Sequence, residues 1–235
     1  MDRGNQPASV LNHTIQPGER MTFGSYPQSA DGEVRPIEWR VLQNAGSELF
    51  LLSEEILDCK RYHGKSADIS WRDAVDTTWR DCDLRQWLNE EFYNTAFRSE
   101  EQELIQTSLC ADNGEESPDT EDKVFLLSVT EIKELTPVLG KAWLTAVGTD
   151  YAKLKKPDGC SLYVYDKNEN DNYVLRNGKE EGCSWWWLRT QGNKPSRAQF
   201  IGPGRSIRSY ANVSLARDGV RPAIRLSLGR GTLGT

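Results

Sequence analysis

The sequence has few of the residues and motifs on which catalysis and metal binding most often depend. It contains only two histidines, His13 and His63, and its five cysteines are scattered without a C-x-x-C pair. Neither a G-x-x-x-x-G-K-S/T phosphate loop nor a G-x-G-x-x-G fingerprint occurs. Cys59 and His63 lie four residues apart, but no second pair completes a zinc site of familiar spacing. A buried cysteine beside a loop histidine explains them better.

The chain also lacks the marks of an exported or membrane-inserted protein. Residues Met1–Ser9 are polar and do not have the charged-then-apolar design of a signal peptide. No apolar run approaches the ~20 residues that cross a bilayer. An odd number of cysteines without an export signal indicates reduced, mostly buried thiols, with disulfides in an exported protein as the alternative. We expect a soluble, cytoplasmic protein that binds no metal and no cofactor.

One hydrophilic segment resembles part of a calcium loop. Asp166–Asp171 has the alternating oxygen ligands of the first half of such a loop. However, Asp171 stands where the loop needs glycine, and Asn177 stands where it needs a bidentate glutamate. A solvated loop is therefore favoured over a calcium site.

The 235 residues are enough for one large domain with a sizeable core. Eight tryptophans, eight tyrosines and six phenylalanines supply large side chains for that core. Residues 1–18 are expected to be a flexible leader ending at Pro17-Gly18, and 19–235 a single domain. There is no internal repeat or heptad pattern.

Hydrophobic periodicity predicts strands at both ends of the domain and helices between them. The predicted strands are Met21–Tyr26, Ile37–Leu42 with Leu49–Leu52 as an antiparallel hairpin, Lys123–Ser128, Leu162–Tyr165, Trp185–Arg189, Ala198–Ile201 and Val220–Leu226. The predicted helices are Cys82–Phe97, a short one capped by Ser99 with Gln102 and running through Ile105, Thr130–Leu135 stopped by Pro137, and Trp143–Lys155 interrupted near Gly148. Asp112–Asp122 is predicted to be a loop. This order indicates an α+β fold.

Charge is distributed unevenly along the chain. From Arg189 to the C-terminus there are nine basic residues and one acidic residue, a net charge of +8. The preceding part carries −14, so the total is −6. The basic part could attract an anionic ligand, or it could fold against the acidic body.

The middle of this basic part, Thr190–Asp218, has neither strand nor helix periodicity and is rich in Arg, Ser, Asn, Gln and Gly. Rigid elements flank it, which is how binding surfaces are usually built. Within the preceding triplet, Trp185–Trp187, neighbouring side chains of a strand point to opposite faces, so at least one belongs to the core. Each of the others is either core or a ligand contact.

The chain resembles a bacterial domain family of unknown function. The resemblance covers about residues 18–228 and rests on Phe23–Tyr26, Ile37–Leu42, Leu51–Ser53, Leu57-Asp58, Cys82–Asn89, Asp122–Ser128, Trp186–Arg189 and Gly219–Ala223. In its C-terminal half that family is similar to C-type-lectin-fold proteins of the formylglycine-generating-enzyme type. It is also similar to variable proteins diversified by retroelements in bacteria and their phages.

The resemblance implies a C-type-lectin-like fold with mixed, mostly antiparallel sheets, two or more short helices and long loops. It also implies that the chain is not an enzyme and binds an unknown protein or other macromolecule, which could be anionic. The chain would then be either a target of a diversity-generating retroelement or an ordinary member of the family. Carried over by position, the structural anchors are Trp186, Trp187, Arg189, Gly219 and Arg221. Ala198 and Val213 are scaffold positions. The ligand-binding candidates are Gln191, Asn193, Lys194, Arg197, Gln199, Arg205, Arg208, Tyr210 and Arg217.

Two departures from the related proteins bear on function. The enzymes carry a cysteine pair near the Gly-x-Arg strand, whereas this chain has no cysteine after Cys183. The calcium-dependent lectins use Glu-Pro-Asn and Trp-Asn-Asp ligands, and neither motif occurs here. An oxidoreductase of the formylglycine-generating type, and nucleic-acid binding through the basic part, remain as alternatives; the acidic body disfavours nucleic acid. The sequence does not indicate the oligomeric state.

Overall fold

The N-terminal strands and the last strand form one antiparallel sheet in the computed structural model, which describes residues 15–64, 75–165, 173–176 and 178–228. The sheet has the order β1-β2-β3-β13. Its strands are β1 Arg20–Pro27, β2 Val34–Asn44, β3 Glu48–Ser53 and β13 Ala223–Ser227. Alternation along β2 buries Ile37, Trp39 and Val41. The three predicted N-terminal strands and their hairpin are confirmed.

The described part of the predicted leader, residues 15–18, is bonded along β2. The N–H of Gly18 donates to the carbonyl of Val41 at 2.8 Å, and the side chain of Asn44 donates to the carbonyl of Ile15 at 2.8 Å. These residues are therefore part of the folded domain. Residues 1–14 lie outside the described part of the chain.

The second sheet has five strands in the order β11-β10-β9-β12-β4. They are β4 Asp58–Cys59, β9 Trp186–Gln191, β10 Arg197–Gly202, β11 Ser206–Asn212 and β12 Gly219–Val220. Only β12 and β9 run parallel; the other neighbours are antiparallel. The Trp-rich strand β9 is central and has a strand paired along each of its two edges, whereas β11 is an edge strand.

The predicted closing strand 220–226 is in fact two strands in different sheets. Arg221 and Pro222 separate β12 from β13, and Pro222 has no N–H to continue a ladder. Its carbonyl instead accepts the N–H of Ser53 at 2.9 Å. The chain thereby passes from the second sheet to the first.

The predicted helix 82–97 is present as one helical run with a π-helical middle. It consists of α1 Asp83–Trp87, a π turn Leu88–Phe92, and α2 Tyr93–Ala96. The predicted apolar stripe buries Leu84, Leu88 and Phe92. The thiol of Cys82 caps the first turn by accepting the N–H of Arg85 at 3.4 Å.

The next helix begins one residue earlier than predicted. α3 spans Ser99–Gln102 with Arg98 as its N-cap, so Ser99 is not the cap. The carboxylate of Glu101 accepts the N–H of Arg98 at 2.9 Å, which is the reciprocal half of a capping box. Glu101, rather than the predicted Gln102, therefore supplies the side chain that bonds back to the N-cap residue.

The segment predicted as strand 123–128 begins with a bend and is buried from Val124 to Ser128; among the described residues its only bridge joins Phe125 to Ala223. It leads into α4, Val129–Leu139, capped by Ser128. Pro137 lies inside α4 rather than stopping it. The proline removes one bond close to the helix end, and the chain turns at Gly140 with φ +74°.

Three further sequence predictions need correction. The predicted loop 112–122 ends in a strand, because β6 Thr120–Asp122 pairs with β5 Ser108–Cys110. The predicted helix 143–155 contains only α5 Asp150–Lys153, preceded by a 3₁₀ turn at Ala142–Leu144. The predicted strand 162–165 is reduced to a bridge between Val164 and Ser184.

A second small hairpin joins β7 Tyr173–Arg176 to β8 Lys179–Gly182.

The fold is therefore mixed α+β with mostly antiparallel sheets and few short helices, as predicted. The core lies beneath both sheets and includes the fully buried Trp39, Trp79, Trp186 and Trp187. Among the described helices, none is long and apolar enough to cross a membrane. The calcium-like segment falls on 166–172 and 177, outside the described residues.

Candidate functional site

The tryptophan triplet is mainly scaffold. Trp186 and Trp187 are fully buried on opposite faces of β9. Each indole N–H is satisfied by a carbonyl, that of Trp186 by Leu144 at 3.0 Å and that of Trp187 by Lys60 at 2.9 Å. Trp185 precedes the strand and is half-buried. It is the member of the triplet that reaches the surface.

Arg189 ties β9 to the rest of the domain. It is 2 % exposed, and its Nε donates to the Asn113 side chain at 3.0 Å. Its Nη1 donates to the carbonyl of Leu126 at 2.7 Å and to Glu131 at 2.6 Å, and its Nη2 to the carbonyl of Ala111 at 2.9 Å. A buried guanidinium needs this degree of satisfaction. The side chain thus holds the start of the segment in place.

Arg221 does the same at the other end of the segment. It is 1 % exposed, and it donates to the carbonyls of Ser53 and Trp143, both at 2.7 Å. Burial lowers its pKa to about 10. Two residues earlier, a Cβ on Gly219 would lie 2.4 Å from a side-chain carbon of Ile56. All five predicted anchors, Trp186, Trp187, Arg189, Gly219 and Arg221, are buried.

Between these anchors the chain is not aperiodic, as its sequence suggested, but forms two strands. β10 was predicted in part; β11 was not predicted. The register between them shifts between Ala198 and Phe200, which is a β-bulge, and this interrupts the alternation in the sequence. Ala198 and Val213 are buried, at the positions where scaffold was expected.

The structure distributes the nine candidate residues over several places. Six side chains are exposed, those of Asn193, Lys194, Arg205, Arg208, Tyr210 and Arg217, and three are half-buried, those of Gln191, Arg197 and Gln199. Gln191 lines a hollow of about 270 Å³ that also contains His63 and several carboxylates. Arg217 lines a different groove. The candidates are therefore a continuous segment but not one pocket.

The basic side chains of this segment are not neutralised by the acidic body. Within the described residues, no carboxylate lies within 4.0 Å of the cationic nitrogens of Lys194, Arg197, Arg205, Arg208 or Arg217. Arg205 donates instead to the hydroxyl of Thr145 at 2.8 Å. Intramolecular pairing thus accounts for Arg189 and Arg225 but not for these five. They leave positive charge available at the surface.

A row of aromatic side chains adjoins these cations, and we call it the aromatic ledge: Tyr210, Phe200, Trp185, Tyr163 and Tyr165. Ring centroids are 5.5 Å apart for Tyr210 and Phe200, 5.9 Å for Phe200 and Trp185, and 4.5 Å for Trp185 and Tyr163, which are stacked. The indole N–H of Trp185 donates to the hydroxyl of Tyr165. Tyr210 is 58 % and Tyr163 39 % exposed, so both ends of the ledge face solvent.

The sequence did not identify most of the ledge as a site. Tyr163 and Tyr165 lie on a segment predicted only as a strand, and Phe200 lies on a predicted closing strand. The available signal was a pair of tyrosines, Tyr163 and Tyr165, in a segment rich in glycine, asparagine and aspartate. What joins them is contact between residues far apart in the chain, which local patterns do not reveal.

All five cysteines are free, buried thiols, as expected. Burial raises the pKa of Cys183 to about 11 and that of Cys82 to about 12. A hydrogen bond between Cys59 and Cys160 raises the pKa of the first thiol and lowers that of the second. His63 contacts Asp83, with 3.0 Å between Nδ1 and the carboxylate. No cluster of three or more metal-ligating side chains occurs in the described part of the chain.

The acid of the segment, Asp218, is fully buried. Neither of its carboxylate oxygens receives a hydrogen bond within the described structure. Burial raises its pKa to about 7, although the neighbouring Arg217 opposes the shift. The segment therefore presents basic and aromatic groups outward and keeps its acid inside.

A family model described as "Domain of unknown function (DUF6273)" matches residues 46–228. This span begins in the β2–β3 turn and includes the whole segment between the anchors. No curated protein and no solved structure matches the chain.

Proposed function

The chain belongs to the DUF6273 family of domains of unknown function, and from that premise we propose that it is a non-enzymatic recognition domain. It binds a macromolecular ligand through the exposed side chains of residues 190–218. One observation carries the proposal: buried anchors at both ends hold a segment whose five other basic side chains have no carboxylate partner within the described residues. Rigid support for free polar groups is the usual construction of a binding surface.

The composition of the surface favours a protein ligand with acidic residues. Arginine and tyrosine, which dominate binding hot spots, are both exposed here at Arg208 and Tyr210. Serine and asparagine around them supply adaptable hydrogen bonds, as in antibody binding loops. Positive charge that no carboxylate of the described residues pairs with accelerates association with an acidic partner.

We further propose that the domain has a C-type-lectin-like fold. The support is the order of its C-terminal elements, in which a Trp-rich strand, the recognition segment and a closing Gly-x-Arg strand follow one another. β12, which contains Gly219, lies beside β9, while β10 and β11 extend outward from the opposite edge of β9. That arrangement leaves one side of the sheet free to vary.

Diversification by a retroelement is the finer form of the proposal. It rests on the separation between buried scaffold positions such as Ala198 and exposed positions such as Arg208. Sequencing the neighbouring genes tests it: an adjacent reverse transcriptase and a near-copy of the coding region for 190–218 are expected. Their absence would leave an ordinary recognition domain.

Binding is best tested with a variant that removes the surface without touching the core. We expect the replacement of Arg205, Arg208, Tyr210 and Arg217 by serine to abolish binding of the intact chain to acidic proteins on a protein array. A matched control replaces four exposed residues of the first sheet, the β1–β2 turn and α4: Arg20, Arg35, Glu33 and Lys133. Both variants should unfold within about 1–2 kcal/mol of the wild-type chain, because surface substitutions seldom cost more than about 0.5 kcal/mol each.

Equal binding by the wild-type chain and the serine variant would contradict the proposal. Binding that is confined to single-stranded DNA, and that falls steeply with salt concentration, would instead favour nucleic-acid recognition. Thermal unfolding of each variant shows whether a loss of binding reflects loss of the fold.

A further inference from the structure

An open groove lies at the C-terminal end of the recognition segment. Two chain segments line it, 159–164 and 214–217, together with Arg61, and its volume is about 500 Å³. The segments are joined by backbone hydrogen bonds, from Ser161 to Ala216 at 2.8 Å and from Tyr163 to Arg217 at 2.9 Å. The groove is therefore built before any ligand arrives, and its volume is typical of ligand sites.

Among the described residues, the lining of this groove carries positive charge and no carboxylate. The charged side chains of that described lining are those of Arg61 and Arg217. Arg61 is half-buried and is oriented by bonds from Nη1 to the carbonyl of Asp158 at 2.9 Å and to the sulfur of Cys160 at 3.6 Å. Neither arginine forms an ion pair within the described residues.

The carboxylates of Asp158 and Asp218, which are close in the chain to residues of the groove, do not cancel this charge by direct pairing. That of Asp158 accepts the N–H of Cys160 at 2.9 Å, and Arg61 binds the carbonyl of Asp158 rather than its side chain. That of Asp218 is fully buried and receives no hydrogen bond in the described structure. The groove therefore attracts anions, and guanidinium groups bind carboxylates with matching geometry.

One end of the groove offers a fixed aromatic face. Tyr163 is 39 % exposed and stacks on Trp185 with 4.5 Å between ring centroids. The stacking orients the tyrosine ring, so a flat or apolar group of a ligand can pack on it at low entropic cost. The hydroxyl of Ser161, on the same wall, adds a hydrogen-bonding group.

The geometry points to a site for an acidic peptide segment of the recognised protein, with a carboxylate held by Arg61 and Arg217 and a neighbouring side chain on Tyr163. This deepens the proposed function and rests on it. An open groove suits a chain that enters at one end and leaves at the other, whereas an enclosed pocket suits a free small molecule. The groove provides the contacts that are specific for acidic groups, and the aromatic ledge beside it provides additional contact area for the recognised protein.

The test is an NMR titration of the intact chain with the peptide acetyl-GYEEG-amide and its neutral counterpart acetyl-GYQQG-amide. We expect only the acidic peptide to shift the amide signals of Ser161, Tyr163 and Ala216. Arg217→Gln should weaken its affinity about tenfold, because it removes one charge-assisted hydrogen bond and a tenfold change corresponds to about 1.4 kcal/mol. Arg35→Gln is the matched control, because this exposed arginine of β2 lies outside the recognition segment and does not line the groove; it should leave the affinity unchanged.

Arg61 supports neighbouring backbone, so its replacement is made as both Arg61→Gln and Arg61→Lys. Weakening by the first that the second partly restores would support a charge role. Equal binding of both peptides, or equal losses in the Arg35 and Arg217 variants, would overturn the assignment. Equally tight binding of free glutarate or of oligo(dT) would overturn it too, in favour of a small carboxylate or of nucleic acid.

The outcome is separable from that of the proposed function. The peptide could fail to bind while replacement of Arg208 and Tyr210 still abolishes binding on the array. That result would contradict the groove assignment and support the recognition surface. If the peptide binds the groove while the four-serine variant still binds proteins on the array, the proposed recognition surface is contradicted instead.

Discussion

Two sets of arginines in the C-terminal part of the chain differ in what surrounds the guanidinium. Arg189 and Arg221, at the ends of the recognition segment, are 2 % and 1 % exposed and donate to carbonyls of distant parts of the chain. Arg208 and Arg217, between them, are exposed and have no carboxylate partner in the described structure. The same residue type is scaffold in the first case and free surface charge in the second. Location in the fold, rather than residue chemistry, makes the difference.

The largest expected effect comes from removing a buried arginine. Arg189→Met removes the guanidinium that donates to the Glu131 carboxylate and to two backbone carbonyls, and it leaves Glu131 with the N–H of Ser128 but without a cation. We expect the free energy of unfolding to fall by about 3–5 kcal/mol, as when one partner of a buried ion pair is deleted. Arg208→Met should change it by about 0.5 kcal/mol or less. Urea unfolding followed by circular dichroism measures the unfolding free energy of both variants. Similar losses of stability would show that the two arginines do not differ in their structural role.

The buried acid of the segment predicts a pH dependence of stability. The folded-state pKa of Asp218 is raised to about 7, above the value of about 3.9 in an unfolded chain. Its contribution to stability is therefore complete below about pH 4 and is lost as the pH rises to about 7. Between pH 5 and pH 8 this corresponds to about 2–3 kcal/mol of unfolding free energy.

Comparison of the wild-type chain with Asp218→Asn isolates the contribution of Asp218, because all other titrating groups are present in both proteins and cancel in the difference. Urea unfolding at several pH values should show the wild-type chain losing stability relative to the variant as the pH rises from 5 to 8. A constant difference between the two proteins over that range would show that Asp218 does not titrate there.

The smallest of these effects contrasts two glycines. A Cβ on Gly219 would lie 2.4 Å from Ile56, whereas one on Gly202 would meet Arg208 and Phe200 at 3.2 Å. Gly219→Ala should cost about 1–3 kcal/mol through overpacking, and Gly202→Ala less, because the Arg208 side chain can move. Ile56→Ala should reduce the cost at Gly219 if the clash is the cause, which a double-mutant cycle in urea measures. Additive losses would point to another cause.

Local patterns were sufficient for much of the scaffold. The hairpin of β2 and β3 and the helical run from Asp83 to Ala96 were predicted because apolar residues recur there with the period of each element. The α+β class follows from their order. Errors of one or two residues at the ends, as at Arg98, reflect capping side chains that compete for the same position.

The elements that local patterns missed lie where long-range pairing decides. β11 is an edge strand opposite a bulge, so the alternation in its sequence is weak. The residues after Gly219 contribute to two sheets because Pro222 interrupts the ladder between them. A segment's own sequence does not show which strand will lie beside it.

The candidate site divides in the same way. Tryptophan, arginine and glycine at the ends of the segment indicated anchors, and the basic, serine-rich interior indicated a surface. The aromatic ledge and the groove between Arg61 and Arg217 were not foreseen, since both join residues far apart in the chain. Only the fold brings Tyr163 to Trp185.

By itself, then, the sequence determined the class of fold, the anchors' residue types and the separation of basic from acidic charge. The tertiary structure decided which basic groups are neutralised. Arg189 finds Glu131, 58 residues away in the chain, whereas Arg217, one residue from Asp218, pairs with no carboxylate in the described structure. The physical reason is that an ion pair depends on separation in space and on solvent access, and neither quantity follows from position along the chain.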